Sequence, residues 1–247
     1  GFVTILILTG CANDPRSLSI AQQGYFFTGG KYVTNKAGQQ IRVGQIFVQY
    51  QIPANRTQPY PVVMWHGGGQ TGTNFLGTPD GRPGWADYFL RAGYAVYVVD
   101  QPGRGRSGYY TDSYGPTRRP NTKAMSERFG APELTNLYPQ AKLHTQWPGK
   151  GIQGDPVFDQ FFASQVEDML NLTALEELNR NAGVALLEKI GPAILLTHSQ
   201  SGPFGWAVAD RRFTNEYVAA EDEARKAKRG LWAGEFIRPS EWRDGKR

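Results

Sequence analysis

The stretch ILLTHSQSG, residues 194–202, sets the reading of this chain. It opens with a short apolar run of the kind that forms a buried strand. The run feeds Thr197-His198-Ser199-Gln200-Ser201, a small-x-Ser-x-small pattern. A serine so placed sits on a tight strand-to-helix turn, where bulky neighbours would clash, and its Oγ is presented at the end of the sheet. Ser199 is the candidate nucleophile. The backbone N–H of Gln200, next along the turn, is a candidate oxyanion donor. Thr197 and Ser201 stand where glycine is commoner. Gly202 and Gly205 follow, and both are expected to allow close helix–strand packing.

Upstream, the continuous apolar run Val62-Val63-Met64-Trp65 ends in His66-Gly67-Gly68-Gly69. A glycine loop directly after a buried strand can supply the second oxyanion donor, because the backbone there must approach the substrate. Gly68 and Gly69 are the candidate donors, with Gln70 also open. His66 is read as a structural residue that orients the loop. A helix is expected over residues 85–92, and YAVYVV (94–99) is a further buried strand, closed by DQPGRG. Strand, helix and strand in that spacing predict a parallel sheet with crossover connections. Asp100, at the strand end, reads as a loop anchor rather than an acid catalyst.

Two more strands are expected earlier, around Gly24-Tyr25-Phe26-Phe27 and over IRVGQIFVQYQI (41–52), whose alternation suits a half-buried strand. Residues 107–155 are rich in Pro, Gly and polar residues and lack periodicity. In a compact domain such an insert is usually a lid or a binding loop. A helix is predicted over 158–171. A second is predicted to open at Thr173, with Glu176 completing a capping box. It buries Leu175, Leu178, Leu186, Leu187 and Ile190 and stops at Gly191-Pro192. The fold class is α/β.

The chain has 247 residues, 40% of them hydrophobic, which is enough for one large domain or two small ones. The net charge is +5, of which residues 211–247 hold +3 (ten Lys and Arg against seven Asp and Glu). Such a tail could meet nucleic acid, but a solvated helix explains it more simply, and no nucleic-acid partner is expected. Tyr217, Ala220, Ala224, Ala227 and Leu231 give that helix a narrow apolar stripe, and Gly230 suits its C-cap.

One cysteine, Cys11, excludes an internal disulfide. Cys11 follows FVTILIL (2–8) and Thr9-Gly10. Leu-Thr-Gly-Cys resembles a bacterial lipobox, so residues 1–11 read as a lipoprotein signal and Cys11 as a lipidated membrane anchor. The protein would then be exported, periplasmic or membrane-anchored. If FVTILIL is instead a buried first strand, the protein is cytoplasmic. No CxxC or HExxH motif occurs and the histidines are not at ligand spacing, so neither metal nor cofactor is expected.

Together, HGGGQTG (66–72), DQPGRGRSG (100–108), HTQWPG (144–149) and THSQSG (197–202) resemble the bacterial esterases of the α/β-hydrolase superfamily that carry a THSQSG elbow. The similarity spans about residues 19–210, with the motifs in order. It implies a three-layer α/β fold with a hydrolase domain over 12–210, a lid over about 107–155, and serine-dependent hydrolysis of a small-molecule ester through an acyl-enzyme on Ser199. Residues 217–243 resemble the C-terminal helix and tail of the thermonuclease (micrococcal nuclease-like) family, so 211–247 read as a foreign basic helical tail. None of that family's catalytic residues carries over.

The family order is serine, acid, then histidine. Here no histidine follows Ser199. The hydrolase domain therefore reads as truncated after the nucleophile strand and helix. A sheet ending there would expose an apolar edge. His198 adjoins the nucleophile and reads as packing or loop support near the site. His144, in the insert, is the remaining candidate base. The expectation is a weakly active or inactive chain. The alternatives are a non-catalytic exported lipoprotein or binding module, and a nuclease-related fusion.

Overall fold

The computed structural model describes residues 17–209, 223 and 225–229. The chain divides into two compact units, Gly1–Gly205 and Trp206–Arg247. The signal segment, with its proposed lipidated Cys11, lies outside the described residues. So does most of the C-terminal tail, including Gly230. Within the second unit, Ala227 N donates to Glu223 O at 2.9 Å, a helical bond that agrees with the expected periodicity.

The fold is α/β. Five strands form the main sheet: β1 (Ile20–Thr34), β2 (Gln40–Pro53), β3 (Val62–Trp65), β4 (Val96–Asp100) and β7 (Ile194–Thr197), in the order β1-β2-β4-β3-β7. β1 and β2 make a long antiparallel hairpin, and β2 pairs antiparallel with β4. β3 lies between β4 and β7, parallel to both. The parallel part confirms the expected crossovers. β1 is far longer than the four-residue signal in the sequence, because pairing with β2 carries the strand through polar and glycine positions.

Helices cover both faces. α1 (Trp85–Arg91) buries Ala86 and Leu90 against Val62 and Met64 of β3 and Val96 and Val98 of β4, with Phe75 alongside. Each such aliphatic side chain contributes roughly 1.5–3 kcal/mol when fully buried. On the other face lies α5 (Leu172–Ile190). Its Asn179, wholly buried, accepts from Trp65 Nε1 at 2.8 Å and donates to Leu175 O at 2.8 Å, so both buried polar groups are satisfied. Leu175, Leu186 and Leu187 are buried, as their spacing predicts. Gly191, in the left-handed region at φ 83°, ends the helix.

Two helix boundaries differ from the sequence reading. The helix expected over 158–171 is α4 (Pro156–Ala163), and it ends eight residues early. Beyond it, Val166 N donates to Gly69 O at 2.8 Å, and Asp168 is drawn into a cluster of cations, so the chain leaves helical geometry and forms β6 (Asp168–Met169). Next, α5 is capped by Asn171, not Thr173. The Asn171 side chain accepts from Ala174 N at 3.0 Å, two residues before the expected start.

Residues 107–155 hold short elements only: α2 (Thr111–Tyr114), β5 (Thr117–Arg118), α3 (Thr122–Met125) and isolated helical turns. β5 pairs antiparallel with β6. Among the described residues, β7 has one sheet neighbour, β3, and Ile194 is exposed on that outer strand.

Candidate active site

β7 ends at Thr197, and a single turn, residues 199–201, leads into α6 (Gly202–Ala209). Ser199 sits in the turn with φ 54°, a left-handed conformation that L residues rarely adopt. Outside glycine such strain costs on the order of 1–3 kcal/mol and persists only where the surroundings impose it. They do so through Ser201. Its buried Oγ donates to Trp65 O at 2.8 Å and accepts from His198 N at 2.8 Å, which pins the turn to the end of β3. A methyl group on Gly205 would lie 2.8 Å from Thr197 Cγ2, so glycine there lets helix and strand approach. Gly202, by contrast, has open space around it, and close packing does not require it. Ser199 itself is exposed.

The glycine loop lies directly against this turn. A methyl on Gly67 would fall 3.2 Å from Ser199 Cβ and 3.0 Å from His198 Nδ1; one on Gly68 would fall 3.3 Å from Asp168 Oδ2 and 3.6 Å from Gln200 Cδ. Gly69 is left-handed, with φ 68°. Two segments more than 120 residues apart thus meet at the candidate nucleophile.

His66 anchors the loop from below. It is fully buried, its Nε2 accepts from Gln101 N at 3.0 Å, and its Nδ1 lies 2.9 Å from Gly67 O. A carbonyl can only accept, so Nδ1 carries the proton and the ring is the neutral Nδ1–H tautomer. Burial, reinforced by the nearby Arg104 cation, pushes its pKa down to about 4. Both ring nitrogens are committed, so His66 has no lone pair for Ser199. This agrees with a loop-orienting role. Gln101 Nε2 donates back to His66 O at 2.6 Å.

Asp100 also serves a loop. It accepts from Gly72 N at 2.7 Å, and from Arg106 N at 2.9 Å and Nε at 2.8 Å. Burial alone would raise its pKa, but the bonds from Arg106 and Gly72 outweigh that and hold it below the ordinary carboxylate value.

Under the glycine loop is a buried cluster that the sequence reading did not find. Arg104 donates to Gly67 O at 3.1 Å, to Gln70 O at 3.5 Å and to Gln200 Oε1 at 2.8 Å, and it is paired with Asp168 Oδ1. Asp168 Oδ2 accepts from Arg118 at 3.0 Å and from Gln200 Nε2 at 3.0 Å. Arg104 lay inside a motif already noted, DQPGRGRSG, but nothing local distinguishes it from Arg106. Asp168 was hidden within a predicted helix.

His144 lies in the insert, where its Nδ1 is 3.1 Å from Glu133 Oε2. Its ring helps line a cleft of about 250 Å³ with Arg82, Trp147 and Val157. No hydrogen bond joins His144 or His198 to Ser199 among the described residues. No cluster of His, Cys, Asp and Glu suited to a metal ion occurs among them, and none of their helices is long and apolar enough to cross a membrane.

No family model matches the sequence. Over 188 residues, 76% of its length, the chain is 48% identical to "Probable secreted lipase phiG" of Fungal sp. (strain ATCC 74256), and it spans about half, 49%, of that protein. Its fold matches the solved structure of a novel bacterial esterase with a TM-score of 0.55 at 26% identity, covering 82% of this chain and 67% of that one. The chain is thus similar in sequence to a lipase and in fold to an esterase.

Proposed function

We propose that this chain carries the nucleophile and oxyanion donors of a serine-dependent carboxylic ester hydrolase. The observation that carries the reading is the left-handed Ser199 held against the glycine loop. A strained, exposed serine between a strand and a helix is what a nucleophile elbow requires. In this reading Ser199 Oγ attacks the acyl carbon of a small-molecule ester. The carbonyl electron pair moves onto oxygen, where the N–H of Gln200 and those of Gly68 or Gly69 receive it. The alcohol leaves, and water then releases the acid from the acyl-enzyme.

The proton on Oγ needs a base. His66 is spent on the loop, and His198 belongs to the turn. His144 remains the candidate, because facing Glu133 gives it the carboxylate–imidazole pairing that orients a general base. Since that ring has no bond to Ser199 among the described residues, we expect this chain on its own to hydrolyse esters slowly. The expectation is roughly the 10³–10⁴-fold over water that oxyanion donors and binding supply without a complete triad. The unassembled base also keeps a second reading open, a non-catalytic binding module. The lipase similarity favours the first.

We further infer export, with residues 1–11 as the signal and the insert over 107–155 as a lid. The relative's name supports the export, and the bond from Arg118 of the insert to Asp168, which also accepts from Gln200 beside Ser199, supports the lid. Purified chain and S199A, incubated with p-nitrophenyl butyrate and with a fluorophosphonate probe, test the main proposal. Slow turnover and labelling that S199A abolishes support it. Equal behaviour of the two proteins refutes it.

A further inference from the structure

The geometry points to Arg104 as the positioning residue of the oxyanion hole, acting through the glycine loop and Gln200, with Asp168 as its counter-ion. This rests on the ester-hydrolase reading above. The guanidinium is buried, and its donors reach three separate segments: the carbonyls of Gly67 and Gln70 in the loop, the Gln200 side chain on the turn, and the Asp168 carboxylate of β6. Those segments contain the proposed oxyanion donors, Gly68, Gly69 and Gln200.

Burial of a cation demands such compensation. Burial lowers the pKa of Arg104, and Asp168 opposes that loss. A planar fork can satisfy carbonyl, amide and carboxylate acceptors at once, whereas a lysine ammonium cannot match that set. Because the Gly67 carbonyl accepts from Arg104, the peptide plane that carries the Gly68 N–H is held in orientation, and the Gln70 carbonyl holds the next plane, Gln70–Thr71, in the same way. Arg104 thus orients the Gly68 amide without touching substrate.

Asp168 adds a second consequence. It holds Arg104 on one oxygen, and Arg118 and Gln200 on the other. Val166, two residues before β6, is also tied to the loop by the Val166 N–Gly69 O bond at 2.8 Å. The chain leaving the insert and the oxyanion loop therefore form one unit, and displacing β6 would release Gln200 and the loop together.

The test compares wild type, R104K and the isosteric D168N by ester kinetics and by hydrogen–deuterium exchange. R104K is expected to lower kcat about 100-fold, as small misplacements of catalytic groups do, with KM changed by no more than about threefold. Peptides covering 67–70 and 199–202 should exchange faster in both variants, while the β1–β2 hairpin keeps wild-type protection. Unchanged exchange and unchanged kcat in both variants would overturn the proposal. So would a uniform loss of protection in D168N, which marks a general structural role. If wild type neither hydrolyses esters nor takes the fluorophosphonate, the ester-hydrolase reading falls, and the exchange pattern alone still decides whether Arg104 orders the loop.

Discussion

Gly67 faces Ser199 so closely that a single methyl group would bridge them, lying 3.2 Å from Ser199 Cβ. The same methyl would lie 3.0 Å from His198 Nδ1 and 3.1 Å from Gln70 Oε1. G67A therefore has to push the loop and the turn apart. It should lower fluorophosphonate labelling of Ser199 by at least roughly tenfold and cost about 1–3 kcal/mol, the usual penalty for overpacking. Labelling rates and urea midpoints measure both. Unchanged labelling in G67A would contradict the close approach.

The left-handed Ser199 predicts an order of stabilities. S199A and S199G both lose the nucleophile, but only glycine relieves the strain. Left-handed geometry costs an L residue roughly 1–2 kcal/mol, against the roughly 0.5–1 kcal/mol that glycine loses in chain entropy. S199G should therefore be more stable than S199A by a few tenths to about 1 kcal/mol in urea. The reverse order would mean that Ser199 is unstrained.

His66 predicts an acid sensitivity. Its folded pKa of about 4 lies below its ordinary value near 6.5, so between those values the unfolded chain binds a proton that the folded chain refuses. Stability from this group is complete above about pH 6.5 and is lost as pH falls toward 4, on the order of 3 kcal/mol in all. H66Q keeps a donor and an acceptor but cannot titrate, so its stability should be flatter across this window. Parallel pH profiles for wild type and H66Q would show that His66 is not held neutral.

Removing the Asn179 carboxamide leaves the Trp65 indole N–H without its partner in the core. N179L should destabilise the fold by about 1–3 kcal/mol, the cost of one unsatisfied buried polar group, with no specific effect on labelling beyond that loss. Thermal melts read the effect. A variant as stable as wild type would contradict it.

Much of this architecture could be read along the chain because its signals are local. Val62-Val63-Met64-Trp65 and residues 194–197 are apolar runs bounded by breakers, and both are strands. Gly191 stops α5 where a left-handed cap was expected. What escaped was non-local. The phenylalanines of α4 sit at helical spacing, and nothing in the sequence says that Val166 will bond to Gly69 or that Asp168 will meet Arg104 and Arg118. The Asn171 cap went unread because Thr173 and Glu176 form an equally good pattern two residues on. The motifs single out Ser199, His66 and the glycines, and the structure brings the glycine loop against the Ser199 turn. Arg104 and Asp168 were not, since their role depends on three segments converging.

The central claim is that Ser199 is an activated nucleophile, and the most direct measurement is intact-protein mass spectrometry after fluorophosphonate treatment. The account predicts one covalent adduct, on Ser199, formed more slowly in R104K and absent in S199A. No adduct, or one that persists in S199A, would contradict it.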